Sequence, residues 1–315
     1  MKIVFWGTPE FACRPLEALA GSRHKILAVV TGPDKPAGRG HKFMACKAKL
    51  TAQSLAIPVY QPARLSDDSF VENMAALQAD VFIVIAFRIL PEKLFTLPAF
   101  GAINIHASLL PRYRGAAPIQ YALLNGDTQT GLTSFFLARE VDQGSIIGQV
   151  RTPIEADENY SSLSERLSTM AGPFLLETLE LIARPGFRPT VQDSSRATPA
   201  PKIKPEDTLI DWRQPCRRIH NQIRAYSERP GAYTFLEGQK IKILYSAMGE
   251  FPKTFRLAPG RIQLENKQLL VGTGDFPLRL VSLQPEGKKN MEATAFANGY
   301  CTGDSSIFNC VKGRD

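Results

Sequence analysis

Lys2-Ile3-Val4-Phe5-Trp6-Gly7-Thr8-Pro9-Glu10-Phe11 is an apolar run that stops at a glycine and turns polar. It reads as a strand over Lys2–Trp6, a turn at Gly7-Thr8-Pro9, and a helix through Leu19. Working outward, the same alternation recurs. Strands are expected at Lys25–Thr31, Ile57–Tyr60, Val81–Ala86 and Ala102–Ile105, with helices over Ala45–Leu55 and Ser69–Leu77. Strands apolar on both faces and joined by helices predict a parallel sheet covered on both sides. Leu132–Leu137 and Gly144–Thr152 add two more strands, and Tyr160–Ala183 has helical spacing. The fold class is therefore α/β, with a doubly wound, mostly parallel, Rossmann-like sheet. The first turn lacks GxGxxG spacing, which argues against a nicotinamide site built by that mechanism.

Near residue 184 the texture changes. Arg184-Pro185-Gly186, Pro189, Pro199, Pro201 and Pro205 punctuate a polar stretch of linker composition. Beyond it a helix is expected over Cys216–Tyr226. Short strands follow at Ala232–Leu236, Lys240–Ala247, Arg261–Glu265, Gln268–Gly272 and Leu278–Gln284. Short strands at close spacing predict a small all-β barrel. The 315 residues thus divide into an α/β domain (1–188), a linker (189–206) and a C-terminal barrel domain (207–315).

Composition is that of a folded globular chain, 44% apolar and 22% charged. No apolar run approaches the ~20 residues that span a bilayer, so no membrane association and a cytoplasmic location are expected. The start is too short for a signal h-region. Five scattered cysteines without a CxxC argue against a zinc ribbon or a thioredoxin motif, and read as reduced thiols. Four histidines without ligand spacing argue against a metal site. Of the net charge of +8, residues 201–315 carry +6, with 18 Lys and Arg against 12 Asp and Glu. That excess fits either a polyanion-binding module or a solvated basic surface.

Chemistry concentrates in Asn104-Ile105-His106-Ala107-Ser108-Leu109-Leu110-Pro111. Asn104 and His106 share one face if the backbone is extended. Two polar side chains in an apolar stretch are costly without a purpose. Asp142, in the turn Glu140-Val141-Asp142-Gln143-Gly144, can join them only through folding. No serine or cysteine elbow is evident, so covalent catalysis is not supported. The trio suits attack of an amine on an activated carbonyl. Asn104 and His106 would donate to the oxyanion of the tetrahedral intermediate, and Asp142 would accept or relay the amine proton. Upstream, Thr31-Gly32-Pro33-Asp34-Lys35-Pro36-Ala37-Gly38-Arg39-Gly40-His41-Lys42 is a Gly/Pro-rich basic loop at the carboxyl edge of the expected sheet. It reads either as a phosphate-gripping arm or as an ordinary flexible loop.

The run Asn104–Ile119 followed by Asp142-Gln143-Gly144 resembles the formyltransferase family that uses 10-formyltetrahydrofolate. Gly7-Thr8-Pro9-Glu10-Phe11, the loop Pro33–Gly40 and Leu283-Gln284-Pro285-Glu286-Gly287-Lys288-Lys289-Asn290-Met291 resemble the branch of that family that formylates methionyl-tRNA. The likeness spans nearly the whole chain. It implies Asn104, His106 and Asp142 as catalytic residues. Ser108, Leu109, Leu110 and Pro111, with Ala86 and Phe87 at the bordering turn, would form the folate site. It implies that Lys35, Arg39, His41 and Lys42 meet the acceptor stem of initiator tRNA, and that Lys202, Lys204, Lys288 and Lys289 contact the same RNA from an OB-like barrel domain. The expected reaction is formyl transfer from 10-formyltetrahydrofolate to the α-amino group of methionine on initiator tRNA, for translation initiation, by a metal-free monomer. Ala86-Phe87-Arg88-Ile89-Leu90-Pro91 departs from the family's Ala-Tyr-Gly-x-Ile-Leu-Pro by one residue and a missing glycine, and Ala107 replaces a common Gly. Rival readings are a sugar-nucleotide formyltransferase, a nicotinamide oxidoreductase and a non-catalytic RNA-binding protein.

Overall fold

The computed structural model describes residues 1–37, 42–249, 255–301 and 306–310. Its first elements are β1 (Lys2–Gly7), α1 (Cys13–Ala20), β2 (Lys25–Val30), β3 (Lys35–Ala37), β4 (Lys42–Met44), α2 (Lys47–Ser54) and β5 (Val59–Tyr60). Next come α3 (Asp68–Ala76), β6 (Val81–Ile85), α4 (Glu92–Phe95), β7 (Ala102–His106), α5 (Pro118–Leu124), β8 (Gln129–Phe136), β9 (Ile146–Pro153) and α6 (Tyr160–Ile182). Seven strands form one sheet in the order β5-β2-β1-β6-β7-β8-β9.

The first five strands are parallel, and β7–β8–β9 are antiparallel. Ile3, Val4, Phe5 and Trp6 are fully buried, as are Ile83 and Ile85, so the central strands are covered on both faces. From β1 the chain winds outward to β2 and β5, then returns to the other side of β1 for β6 and β7. That reversal puts the switch point between β1 and β6, where Gly7 pairs with Ile85 at the carboxyl ends. A Cβ on Gly7 would lie 2.6 Å from the Ala12 Cβ, so only glycine lets the turn close this tightly.

Two features differ from the sequence expectation. The segment after β2 holds the hairpin β3–β4, with Lys35 opposite Met44. Its base is fixed by Asp34, which accepts from Lys49 Nζ at 2.6 Å and from Gln61 Nε2 at 2.8 Å. Glycine and proline masked these short strands, since neither residue favours a ladder. Arg39 and His41 lie outside the described residues, and Lys42 is described only as part of β4. The second difference is that residues 190–200, of linker composition, make defined bridges: Thr190 with Ile146 and Pro199 with Arg114.

The chain forms two compact units: 1–118, 129–153 and 164–201 in one, and 119–128, 154–163 and 202–315 in the other. The second unit contains α7 (Cys216–Ala225), β10 (Ala232–Leu236), β11 (Gln239–Ala247), β12 (Ile262–Glu265), β13 (Gln268–Val271), β14 (Leu278–Pro285), β15 (Met291–Glu292) and α8 (Ala293–Tyr300). Its antiparallel sheet runs β10-β11-β14-β13-β12, with β15 on β14. The two edges are joined through the C-terminal segment, where Asn309 bridges Phe235 and Ile307 bridges Arg261. These bridges close the sheet into the small barrel. Trp212, Phe296 and Phe308 fill its core, with Trp212 stacked on Phe308 at 5.6 Å. No described helix is long and apolar enough to cross a membrane.

Candidate active site

β7 runs one residue past the expected Ile105, to His106. Asn104 lies opposite Phe135 and His106 opposite Thr133 on β8, so both side chains project from one face of the sheet. Among the described residues nothing hydrogen-bonds the half-buried Asn104 carboxamide. His106 is only 7% exposed. Its Nε2 lies 2.8 Å from the Tyr113 carbonyl oxygen. A carbonyl can only accept, so Nε2 carries a proton and Nδ1 is the ring nitrogen left for chemistry.

Asp142 sits in the loop between β8 and β9 with φ +56 and is 9% exposed. Its Oδ2 accepts the Gly115 N–H at 2.8 Å and stands 3.8 Å from His106 Nδ1. That separation is too long for a direct hydrogen bond. Imidazole edge and carboxylate therefore face each other across a gap. Gly115 (φ +128) can donate there because it lacks a side chain; a Cβ would lie 2.5 Å from the Ala200 carbonyl oxygen.

The turn leaving β7 is held by Thr133. Its hydroxyl donates to the Ser108 carbonyl at 2.6 Å and accepts the Leu110 N–H at 3.0 Å. Gln149 Nε2 adds a bond to the Leu110 carbonyl at 2.8 Å, and Ser108 Oγ donates to the Arg112 carbonyl at 2.7 Å. Ser108 and Leu110 are buried, Leu109 and Pro111 half-buried. Ala86 and Phe87 leave β6, the strand beside β7, at the same carboxyl edge. Ala86 is exposed at φ +51, the conformation glycine would favour, and Phe87 packs edge-on against Trp6 at 5.6 Å.

The structure thus brings Asn104, His106 and Asp142 into one unit, with the last two facing each other. Lys35 is exposed in that unit, and Lys202, Lys204, Lys288 and Lys289 are placed in the barrel unit, where all four are exposed. Sequence reasoning missed Thr133, Gln149 and Gln192, and the backbone roles of Tyr113 and Gly115. A signal that could have found one of them is Gly115 itself, since a glycine just after the Asn104–Pro111 run permits a close backbone approach. Gln192, buried and far along the chain, donates to the carbonyl oxygens of Asp142 and Gly144, each at 2.8 Å. No group of three or more potential metal ligands occurs among the described residues.

A doubly wound sheet with this polar cluster at its carboxyl edge, followed by a small barrel, defines the class: the chain belongs to the formyl transferase family. Residues 1–179 match its formyl transferase domain and residues 202–301 its C-terminal domain. The chain is 41% identical over 312 residues to the methionyl-tRNA formyltransferase of Moorella thermoacetica, covering 99% of this chain and 100% of that one. Two solved structures share the fold. HypX from Aquifex aeolicus in complex with tetrahydrofolic acid is 18% identical with TM-score 0.67, over 96% of this chain, which spans 48% of HypX. The sugar 3N-formyl transferase WlaRD is 17% identical with TM-score 0.67, over 92% of this chain and 99% of its own. The protein is a formyl-transferring enzyme.

Proposed function

We propose that this chain transfers the formyl group of 10-formyltetrahydrofolate to the α-amino group of methionine on initiator tRNA. The observation that carries the reading is 41% identity to a methionyl-tRNA formyltransferase along the full length of both chains. The HypX complex with tetrahydrofolic acid, on the same fold, supports a folate donor.

The residues present fit such a donor. The Asn104 carboxamide is free of protein partners among the described residues. Beside it lie the turn through Ala86 and Ile89, both exposed, and the fixed turn Ser108–Pro111. When bound, the donor supplies an activated formyl carbon. Asn104 then presents N–H groups to the formyl oxygen as charge develops there. His106 cannot do so from Nε2, which is committed to Tyr113. It acts from Nδ1, as a proton acceptor when neutral and as a donor once protonated. Asp142, across the 3.8 Å gap, stabilises the imidazolium. The pair takes one proton from the attacking amine as the new C–N bond forms, and returns one to the departing folate nitrogen as the old bond breaks. Holding amine and formyl carbon at attack distance supplies much of the acceleration. Lys35, Lys202, Lys204, Lys288 and Lys289 provide the cations an RNA backbone needs.

The test is a formylation assay with 10-formyltetrahydrofolate and three acceptors: initiator methionyl-tRNA, elongator methionyl-tRNA and an amino-sugar nucleotide. Transfer to the initiator with strong preference over the elongator is expected. Transfer only to an amino-sugar nucleotide would overturn the reading.

A further inference from the structure

We propose that residues 190–200 form a strap that positions Asp142 against His106, with Gln192 as its positioning residue. This deepens the proposed function and rests on its reading of Asp142. The segment falls between the two family matches, which end at 179 and resume at 202.

The strap grips both loops that build the site. On one side, Thr190 and Ile146 exchange backbone hydrogen bonds of 2.7 and 2.8 Å, and Gln192 Nε2 holds the carbonyls of Asp142 and Gly144. On the other, Thr198 Oγ1 accepts the Tyr113 N–H at 2.9 Å and the Thr198 carbonyl accepts the Arg114 N–H at 2.9 Å. Ala200 N–H donates to the Arg114 carbonyl at 2.7 Å. Tyr113 in turn offers the carbonyl that accepts the hydrogen bond of His106 Nε2–H. One segment therefore fixes the backbone on each side of the gap between imidazole and carboxylate.

Gln192 is chemically specific to this place. It is 8% exposed, and its Oε1 accepts from Arg114 Nη2 at 2.8 Å while its amide nitrogen donates to two carbonyls. Only a primary amide makes that combination; a carboxylate would satisfy Arg114 but face two carbonyl oxygens with no proton to give. The loop it holds carries Asp142 at φ +56, a conformation that needs its surroundings to maintain it.

The test is Gln192→Glu, alone and in an Asp142→Asn background, assayed for formylation with thermal unfolding measured in parallel. The expected result is a fall in kcat on the order of 10–100-fold with KM for both substrates unchanged, because the reacting groups are misplaced and not removed. In the Asp142→Asn background the second substitution should cost nothing further, since the two act as one unit. Thr198→Val, which removes the bond to Tyr113 without changing shape, should show the same kcat-only loss, and it carries the test if Gln192→Glu does not fold. Full kcat in a folded Gln192→Glu enzyme, or full additivity with Asp142→Asn, overturns the strap. An Asp142→Asn enzyme of normal activity overturns instead the reading of Asp142 on which it rests.

Discussion

His106 donates a hydrogen bond from its Nε2–H to the carbonyl oxygen of Tyr113, 2.8 Å away. That bond decides the ring's chemistry, because it leaves Nδ1 as the nitrogen that meets Asp142. His106→Ala should lower kcat by about 10²–10⁴-fold, the usual worth of a positioned acid–base group. Initiator tRNA affinity, measured by filter binding, should not change. A loss confined to affinity would assign His106 to RNA binding.

Asn104 reports on the oxyanion separately. Its carboxamide has no protein partner among the described residues, so removing it leaves no buried group orphaned. Asn104→Leu should cost about 10²–10³ in kcat while the unfolding midpoint stays at the wild-type value. A fall in stability with kcat intact would make Asn104 a structural residue.

Lys288 and Lys289 are exposed in the turn after β14. If both meet phosphates, Lys288→Ala/Lys289→Ala should weaken tRNA binding and flatten the dependence of log K on log salt by about 0.7–0.9 for each phosphate no longer neutralised. The turnover of saturated enzyme should stay the same. Parallel salt slopes for variant and wild type would place the RNA elsewhere.

His220 makes the barrel unit sensitive to acid. It is 4% exposed, with Nδ1 bonded to Ser246 Oγ at 3.0 Å and a buried Nε2 that finds no hydrogen-bond partner among the described residues. Burial first, then the Arg224 cation, hold its pKa below the ordinary 6.5; Asp157 and the backbone at Ala156 oppose this without prevailing. The unfolded chain therefore takes up the proton more readily. The stability from neutral His220 is fully present above about pH 6.5 and is lost as pH falls below it. Melting temperatures followed from about pH 8 to pH 5 should drop less for His220→Gln than for wild type. Identical curves would show that another group sets the acid limb.

The strands of the main sheet were legible in the sequence because Ile3–Trp6 and Val81–Ile85 are apolar on both faces, a pattern that only a doubly covered sheet requires. The Asn104–His106 pair was legible for the opposite reason, as polar residues in an apolar run. What the sequence could not show was carried by single bridges and backbone groups. Asn309 and Ile307 close the barrel through isolated pairings with no strand signature of their own. Gln192 sits in a Pro-punctuated stretch whose composition suits a linker as well as a strap. Its role depends on the chain folding back across a separation of 50 positions, which no local pattern records. Which ring nitrogen His106 keeps for chemistry was hidden for a similar reason: the acceptor that commits Nε2 is the carbonyl of Tyr113, and every residue has a carbonyl.

The most direct test of the proposed chemistry is single-turnover formylation of initiator methionyl-tRNA by Asp142→Asn, with 10-formyltetrahydrofolate saturating and tRNA affinity measured on the same preparation. Asparagine keeps the shape and removes the charge that faces His106 Nδ1. The rate constant for transfer should fall by about 10²-fold or more while affinity is retained. A transfer rate equal to wild type would contradict the proton-transfer role of the pair.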